Sequence, residues 1–309
     1  MSSHTPTSVV TIGTRPSMLA RHQTALVARR LEALWPGVEC RAEVIITAGD
    51  RDTSRPLPEI GGKGLFTQAI DDALIDGSID AAVHSYKDLP ITAETEAAVA
   101  SVVERIDARD VLIARKPCTL NSLPSGARVG TSSLRRQAQL LAARPDLQIV
   151  PIRGNVDTRV QLALTGDFDA IVIAAAGVLR LGLEAAVCEY LPFEQMLPAP
   201  AQGALAVVCR PHDTHTRALF ARLDDPAARA STSAERSFLH GLGGGCSAPV
   251  AAYAQPLASG ALRVDGLAIA PDGSRAVRVS GEAPAHEAHA LGARLAQDAT
   301  ARGARAFLL

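Results

Sequence analysis

"VVTIGTRPSMLARHQTALVARRLEALWPG", residues 9–37, sets the fold class. Its first six residues, "VVTIGT", carry no charge and are rich in β-branched side chains, as a strand buried on both faces requires. Arg15 and Pro16 break the run, Ser17 stands where a helix cap belongs, and a helical pattern follows as far as Trp35. Met18, Leu19, Ala25, Leu26 and Ala33 read as its apolar stripe, and Pro36–Gly37 ends it. A strand feeding straight into a helix is the unit of an α/β fold. The alternation recurs: "AEVIIT" (42–47), "IDAAVHS" (79–85) and "DAIVIAAAG" (169–177) read as further strands buried on both faces. Phe66, Ile70 and Leu74 repeat at four-residue spacing in a helix over 65–76, and Gly77 is a natural C-cap. The expected class is α/β, with doubly wound lobes.

The last part of the chain reads differently. "VAAYAQP", "ALRVDGLAIA" and "RAVRVSGEA" look like three strands, with Asp272–Gly273 as a hairpin turn and a final helix over 285–302. A small α+β domain with a three-stranded antiparallel sheet is therefore expected from about residue 226 onward. The stretch 48–64, "AGDRDTSRPLPEIGGKG", is polar and rich in Gly and Pro, as an active-site loop would be.

Composition removes several function classes. A net charge of -1 leaves no bulk basic field for nucleic acid, and 3% aromatic residues leave little for base stacking. The five cysteines are odd in number and lack C-x-x-C spacing, so neither a zinc cage nor a disulfide framework is expected. No basic start followed by an apolar run opens the chain, and no apolar run reaches membrane-spanning length. The expectation is a cytoplasmic protein with free thiols, no metal and no membrane partner.

Anion chemistry must then come from local clusters. "VGTSSLRRQ" (129–137) reads as strand end, Ser cap and helix, with Arg135 and Arg136 in the first turn, where cations oppose the helix dipole. An anion there would relieve that cost, and the free N–H groups already favour one. Two solvated surface arginines are the plain alternative. "IRGNVDTRV" (152–160) repeats the design, with Asn155 as cap and Arg153 and Arg159 flanking the turn. Between Arg128 and Arg159 lie six arginines and only two acids. Strand ends that deliver arginines beside helix starts are where open α/β sheets bind ligands, and arginine forks fit carboxylates and phosphates. "IGTRPSMLA" (12–20) offers Arg15 and Ser17 in the same way, and "AVHSYKDLP" (82–90) places His84, Ser85, Lys87 and Asp88 after an apolar strand. Lys87 and Asp88 either pair with each other or serve a ligand. "GGKG" (61–64) lacks the spacing of a nucleotide-phosphate loop.

"GLGGGCSAPV" (241–250) strips side chains away beside Cys246. A structural cysteine wants packing neighbours, and Cys40, Cys118, Cys188 and Cys209 fit that description better. A nucleophile with a histidine partner finds no support beyond His240.

In order along the chain stand "GTRPSMLA", "GGKGLF", "HSYKDLP", "GTSSLRRQ", "RGNVDTR", "AAAGVLRLGL", "LPAPAQGAL" and "GGGCSAP". This series resembles the porphobilinogen deaminase (hydroxymethylbilane synthase) family over most of the chain; residues beyond Ala251 are less diagnostic. The resemblance implies two lobes like those of periplasmic binding proteins, with the active cleft between them, and a third domain carrying the cysteine. It places lobe 1 at 1–103 and 204–221, because "ALAVVCR" returns to it, lobe 2 at 109–197, and the C-terminal domain at 226–309. It implies a dipyrromethane cofactor held on Cys246 by a thioether, onto which four porphobilinogen units are added head to tail with loss of ammonia before water releases hydroxymethylbilane.

Carried over position by position, the resemblance makes Asp88 the catalytic carboxylate. It assigns the cofactor to Cys246, Lys63, Ser85, Lys87, Asp88, Thr131, Ser133, Arg135, Arg136 and Arg159. It assigns porphobilinogen and the growing chain to Arg15, Ser17, Gln23, Phe66, Arg153, Arg159 and Arg180, and matches Asp50 without a defined role. A monomer is implied. Tyr86, Met18, Arg21, His22 and Ala201 depart from the family's usual residues and bear on pocket shape. Every ring carries an acetate and a propionate, so the full chain has more carboxylates than the eight named cations. The chain therefore shifts past one catalytic point, or the lobes open. Two other readings are a two-lobed polyanion-binding protein without chemistry, which the same arginines fit, and a cysteine hydrolase.

Overall fold

The computed structural model describes residues 8–51, 67–91, 98–245 and 248–308. The chain divides into two compact units, Met1–Glu104 with Ala204–Pro226 and Arg105–Gly203 with Ala227–Leu309. Lys63, Phe66 and Cys246 lie outside the described residues, as do positions 52–64 of the polar Gly/Pro-rich stretch.

The first unit opens with strand β1 (Ser8–Thr14), helix α1 (Met18–Leu34) and strand β2 (Val38–Val44), which pairs parallel to β1. Short helix α2 (Ala48–Arg51) and helix α3 (Gln68–Ile75) follow, and β3 (Ala81–Ser85) then pairs parallel to β1 on its other side. That reversal between β2 and β3 makes the C-terminal ends of β1 and β3 a topological switch point. β4 (Ala98–Arg105) completes the outward path. Two expectations fail here. The buried face of α1 is Ala20, Gln23, Thr24, Val27 and Leu31, whereas Met18, Ala25 and Ala33 are exposed. The true face includes two polar residues, so hydropathy alone points to the wrong side. β2 ends at Val44, and its Ala42–Val44 half is exposed because β2 is the edge of its sheet.

The second unit repeats the plan. β5 (Asp110–Ile113) is followed by β6 (Arg128–Gly130), α4 (Leu134–Ala143), β7 (Gln148–Val150), α5 (Val156–Thr165), β8 (Ala170–Ala174), α6 (Ala175–Arg180) and β9 (Val187–Tyr190). The sheet order β7-β6-β8-β5-β9 puts the switch point between β6 and β8. β10 (Ala204–Cys209) then joins the first sheet antiparallel to β3, with Ala206 opposite His84, and α7 (Thr214–Ala221) follows. In each sheet the antiparallel neighbour of the third strand, β10 or β5, is the one by which the chain enters after crossing between units.

The C-terminal part comprises α8 (Pro226–Gly241), β11 (Val250–Pro256), β12 (Ala261–Ile269), β13 (Ala276–Pro284) and α9 (Ala288–Ala301). Pro226 opens α8 where a missing N–H costs nothing. β11, β12 and β13 form an antiparallel sheet. Its Asp272–Gly273 turn lies against α4: a Cβ on Gly273 would fall 2.6 Å from Ala142 N and 2.7 Å from Ala138 O. Leu197, Ala138, Ala251, Leu267 and Ile269 share one core cluster. No helix among the described residues is long and apolar enough to cross a membrane.

Both crossings are tied to α8 by one carboxylate. Fully buried Glu235 accepts from Arg105 Nη1 (2.6 Å) and Nη2 (3.1 Å), from Ala201 N (2.7 Å) and from Ala254 N (2.6 Å). Arg105 also donates to Gln202 O at 3.1 Å and lies 5.1 Å over the Tyr253 ring, which stacks on Phe193. Ala201 is the non-glycine residue with positive φ among the described residues, at 65°, so the Glu235 bond holds a strained turn. Glu235→Gln would turn an amide donor toward N–H donors and remove the charge opposite Arg105. It is expected to lower unfolding free energy by ~3–5 kcal/mol, read from urea denaturation at neutral pH. A change within error would show that this carboxylate does not anchor the crossings.

Candidate functional site

In the first unit the sequence candidates gather at the C-terminal ends of β1 and β3. Ser17 caps α1, its Oγ accepting from Ala20 N at 3.3 Å. Arg15, just past β1, forks onto Asp50 of α2 through Nη2–Oδ1 (2.5 Å) and Nε–Oδ2 (3.2 Å). Thr47 donates to the same carboxylate from its N (3.2 Å) and Oγ1 (2.7 Å). Burial alone would raise the Asp50 pKa, but these bonds and the Arg15 charge outweigh it and hold the carboxyl below its ordinary value. Gln23 is buried and donates to Ser85 Oγ at 2.9 Å. After β3 a 3-10 turn, Tyr86–Asp88, buries Tyr86 and leaves Lys87 half-buried and Asp88 exposed. His84 points into the interior; burial first, and then the Arg15 charge, push its pKa down to about 4, so it is neutral.

In the second unit the β6–α4 turn carries Thr131, Ser132 and Ser133. Thr131 Oγ1 accepts from Ser133 N at 3.3 Å, and Ser132 Oγ bridges to β7's end through Ile152 O (2.7 Å) and Ile152 N (3.0 Å). Arg135 and Arg136 do stand in the first turn of α4, but they are not solvated. Both are buried on the fully buried Asp110: Arg135 Nη1 donates at 2.7 Å, and Arg136 Nε and Nη2 at 3.1 and 2.8 Å. Gln202 Nε2 adds a bond of 2.9 Å. Burial would raise the Asp110 pKa, yet the two guanidinium groups hold it far below the carboxylate range. One anion against two cations leaves a positive excess at a helix N-terminus. Arg135 Nε is buried with no hydrogen-bond partner among the described residues.

The remaining cations divide. Arg153 and Arg159 are half-buried beside the β7–α5 turn, Arg159 Nε donating to Gly154 O at 2.8 Å. Arg180, at the end of α6, is buried and donates to Gly203 O at 2.9 Å, which makes it a support of the chain crossing. Arg144 belongs to no site: it pairs with Asp146 and holds the carbonyls of Leu120 and Leu123.

The bare flank of Cys246 has two causes. Gly241 closes against Ala296, where a Cβ would meet Ala296 Cβ at 2.5 Å. Gly243 takes φ +72° to stop α8, and Gly244 lies against Leu239 and Ala248. These three serve helix termination and packing. Gly245 has ordinary backbone and, like Gly243, nothing among the described residues within 4 Å of a Cβ.

Asp110 and Glu235 escape sequence reading. Asp110 opens the apolar run "DVLIA", and its partners stand 25 and 26 residues later. An acid at the head of an otherwise apolar strand is the one signal available. Glu235 sits in an amphipathic helix with nothing to mark it.

Comparison with known proteins matches residues 10–218 to the family model "Porphobilinogen deaminase, dipyromethane cofactor binding domain" and residues 230–301 to "Porphobilinogen deaminase, C-terminal domain". A porphobilinogen deaminase of Brevibacillus brevis is 43% identical over 293 residues, covering 95% of this chain and 94% of the relative. One of Roseiflexus castenholzii is 47% identical over 299 residues, covering 97% and 98%. Among solved structures, the periplasmic aliphatic sulphonate binding protein of Escherichia coli aligns over 75% of this chain and 70% of its own, with 16% identity and a TM-score of 0.41.

The Asp110 pair makes a pH prediction. A carboxyl depressed by folding stabilises fully above its unfolded value, near 4, and loses that contribution as pH falls toward the depressed value. Asp110→Asn is expected to cost ~3–5 kcal/mol at neutral pH, because two buried cations lose their anion. In urea titrations the gap between variant and natural protein should narrow steadily below about pH 4. A gap of constant size down to acid would refute this account.

Proposed function

The chain belongs to the porphobilinogen deaminase family and is a transferase of tetrapyrrole biosynthesis, and on that premise we propose that it joins four porphobilinogen units head to tail, with loss of ammonia from each, and releases hydroxymethylbilane by hydrolysis. The observation that carries the proposal is the repeated placement of cations and hydroxyls at the switch points of both sheets, with the single exposed carboxylate of Asp88 at the end of β3. We assign the substrate to the lobe of residues 1–103 and 204–221, the cofactor carboxylates to that of 109–197, and the attachment cysteine to 226–309.

A dipyrromethane is an acetate- and propionate-bearing group, and the donor set fits it. The positive excess around Asp110 and an Arg135 Nε without a partner among the described residues favour an added anion, and no atom of the described residues lies within 4 Å of a Cβ on Gly245, next to position 246. Lys63, Ser85, Lys87, Thr131, Ser133, Arg135, Arg136 and Arg159 would hold its carboxylates, and a Cys246 thioether would fix it to the chain. When bound, it supplies a nucleophilic pyrrole carbon that stays with the enzyme.

The residues of this chain do the rest. Arg15, Arg153, Arg159 and Arg180 take the side-chain carboxylates of porphobilinogen and of the growing chain, while Ser17, Gln23 and Phe66 shape that subsite. Loss of ammonia from the aminomethyl group leaves an electron-poor methylene beside the pyrrole ring. The Asp88 carboxylate opposes that positive charge and accepts from the pyrrole N–H. Its exposure in the free chain means that the incoming ring, by covering it, strengthens the interaction. The substrate is a small molecule; neither nucleic acid nor membrane takes part, and the proposed working form is a cytoplasmic monomer.

Two experiments test this reading. The denatured natural protein should weigh more than its sequence by two linked pyrrole units, and Cys246→Ala should lack the excess; an unmodified mass in active protein would sink the attachment. Asp88→Asn should keep that excess and the folded spectrum while turnover falls roughly 10²-fold or more, in steady-state kinetics with porphobilinogen. Near-normal turnover would remove Asp88 from its role.

A further inference from the structure

A pair of thiols stands apart from everything the reaction uses. Cys188 lies on β9, the edge of the second unit's sheet, and Cys118 lies five residues past the end of its neighbour β5. Along the β5–β9 pairing Ile113 faces Val187 and Leu112 faces Glu189, so Cys188 is the extra residue of a bulge. The bulge turns its sulfur toward the outgoing chain: Sγ lies 3.7 Å from both Ala114 O and Lys116 O. Cys118 follows two residues later, so the segment that receives the Cys188 sulfur also carries the second thiol. Both pack on the same core, around Leu112, Leu120 and Leu191, and both are half-buried, within reach of a small reagent. Cys40 and Cys209, by contrast, belong to the core of the first unit.

We propose that Cys118 and Cys188 form an oxidative modification site, closing to an intramolecular disulfide when the protein meets a peroxide. The Cys188 thiolate attacks one peroxide oxygen, the O–O bond breaks, and a sulfenic acid and water form. The Cys118 sulfur then attacks the sulfenic sulfur, the S–O bond breaks, and a second water leaves with the remaining proton. Two thiols lose two electrons, and one hydrogen peroxide becomes two waters. The division of roles follows from Cys118: burial first, and then its neighbour Cys188, push the Cys118 thiol up to about 11, which suits it to resolve and not to attack first. The bond would staple the edge strand β9 to the segment that leaves β5, closing a loop whose ends are 70 positions apart.

The test treats the full-length protein with hydrogen peroxide, blocks free thiols with N-ethylmaleimide, and maps peptides without reduction. The expected product is one peptide pair joined through Cys118 and Cys188, absent after dithiothreitol and absent in Cys118→Ser and Cys188→Ser, with a raised melting temperature in the natural protein alone. Should either variant fold poorly, the natural chain supplies the control: the cross-link should form at least about tenfold faster in the folded protein than in urea, where loop closure must be found by diffusion. Equal rates in both states would overturn the proposal. So would recovery of both thiols as maleimide adducts while Cys40 is oxidised, or oxidation of Cys188 to a sulfinic acid without a cross-link.

Discussion

Two guanidinium groups cannot be buried at a helix N-terminus without an anion, and Asp110 meets that constraint for the whole second unit. Its carboxylate opens β5, the first strand after the chain crosses. It receives Arg135 and Arg136 from α4 and Gln202 from the segment that crosses back. Arg135 also reaches Leu197 O, so one carboxylate joins β5, α4 and the 197–202 connection. The turn after β6 follows from this: once α4 is fixed from inside, Thr131 and Ser133 can only stand at its mouth.

Glu235 has the same burial and the opposite titration. Burial raises its pKa, and one guanidinium and two backbone N–H groups offset that only in part. At Asp110 two guanidinium groups more than reverse the burial effect. The two carboxylates differ in the number of cations they hold, one at Glu235 and two at Asp110. Glu235 is an anchor held at an electrostatic cost, and Asp110 is an anchor held by a surplus of positive charge. A surplus of that kind suits a site for further carboxylates.

What the sequence made legible follows the range of the signal. Most of the strands, the Ser17 cap, the Gly77 stop and the Asp272–Gly273 turn are local, decided by a few neighbouring residues, whereas Ser133 takes the cap position of α4 without a side-chain cap bond. The arginines at strand ends were legible because strand–helix turns place them there in any doubly wound sheet. The face of α1 was not, since Gln23 and Thr24 are buried for reasons that lie in other elements: Gln23 answers Ser85, 62 residues away. Asp110 and Glu235 were invisible for the same cause. A partner 25 or 130 residues distant leaves no periodicity. The glycines before Cys246 carry more than one cause: a helix stop and two close approaches account for Gly243, Gly241 and Gly244, and leave Gly245 with open space among the described residues.

These internal pairs change what binding means in the proposed reaction. Arg15 already holds Asp50, and Arg135 and Arg136 already hold Asp110. An incoming carboxylate at Arg15 therefore exchanges with an internal one or shares its fork, and does not meet a bare cation. Exchange costs little, because the displaced Asp50 keeps the N–H and hydroxyl of Thr47. It also gains little, because one anion replaces another. A growing chain that must move past fixed cations benefits from such shallow binding: each carboxylate is held well enough to orient a ring and weakly enough to leave. Around Asp110 the balance differs, since one anion serves two buried arginines and nothing need be displaced. Tight holding at α4 and exchange at Arg15 would keep the cofactor still while the substrate rings advance.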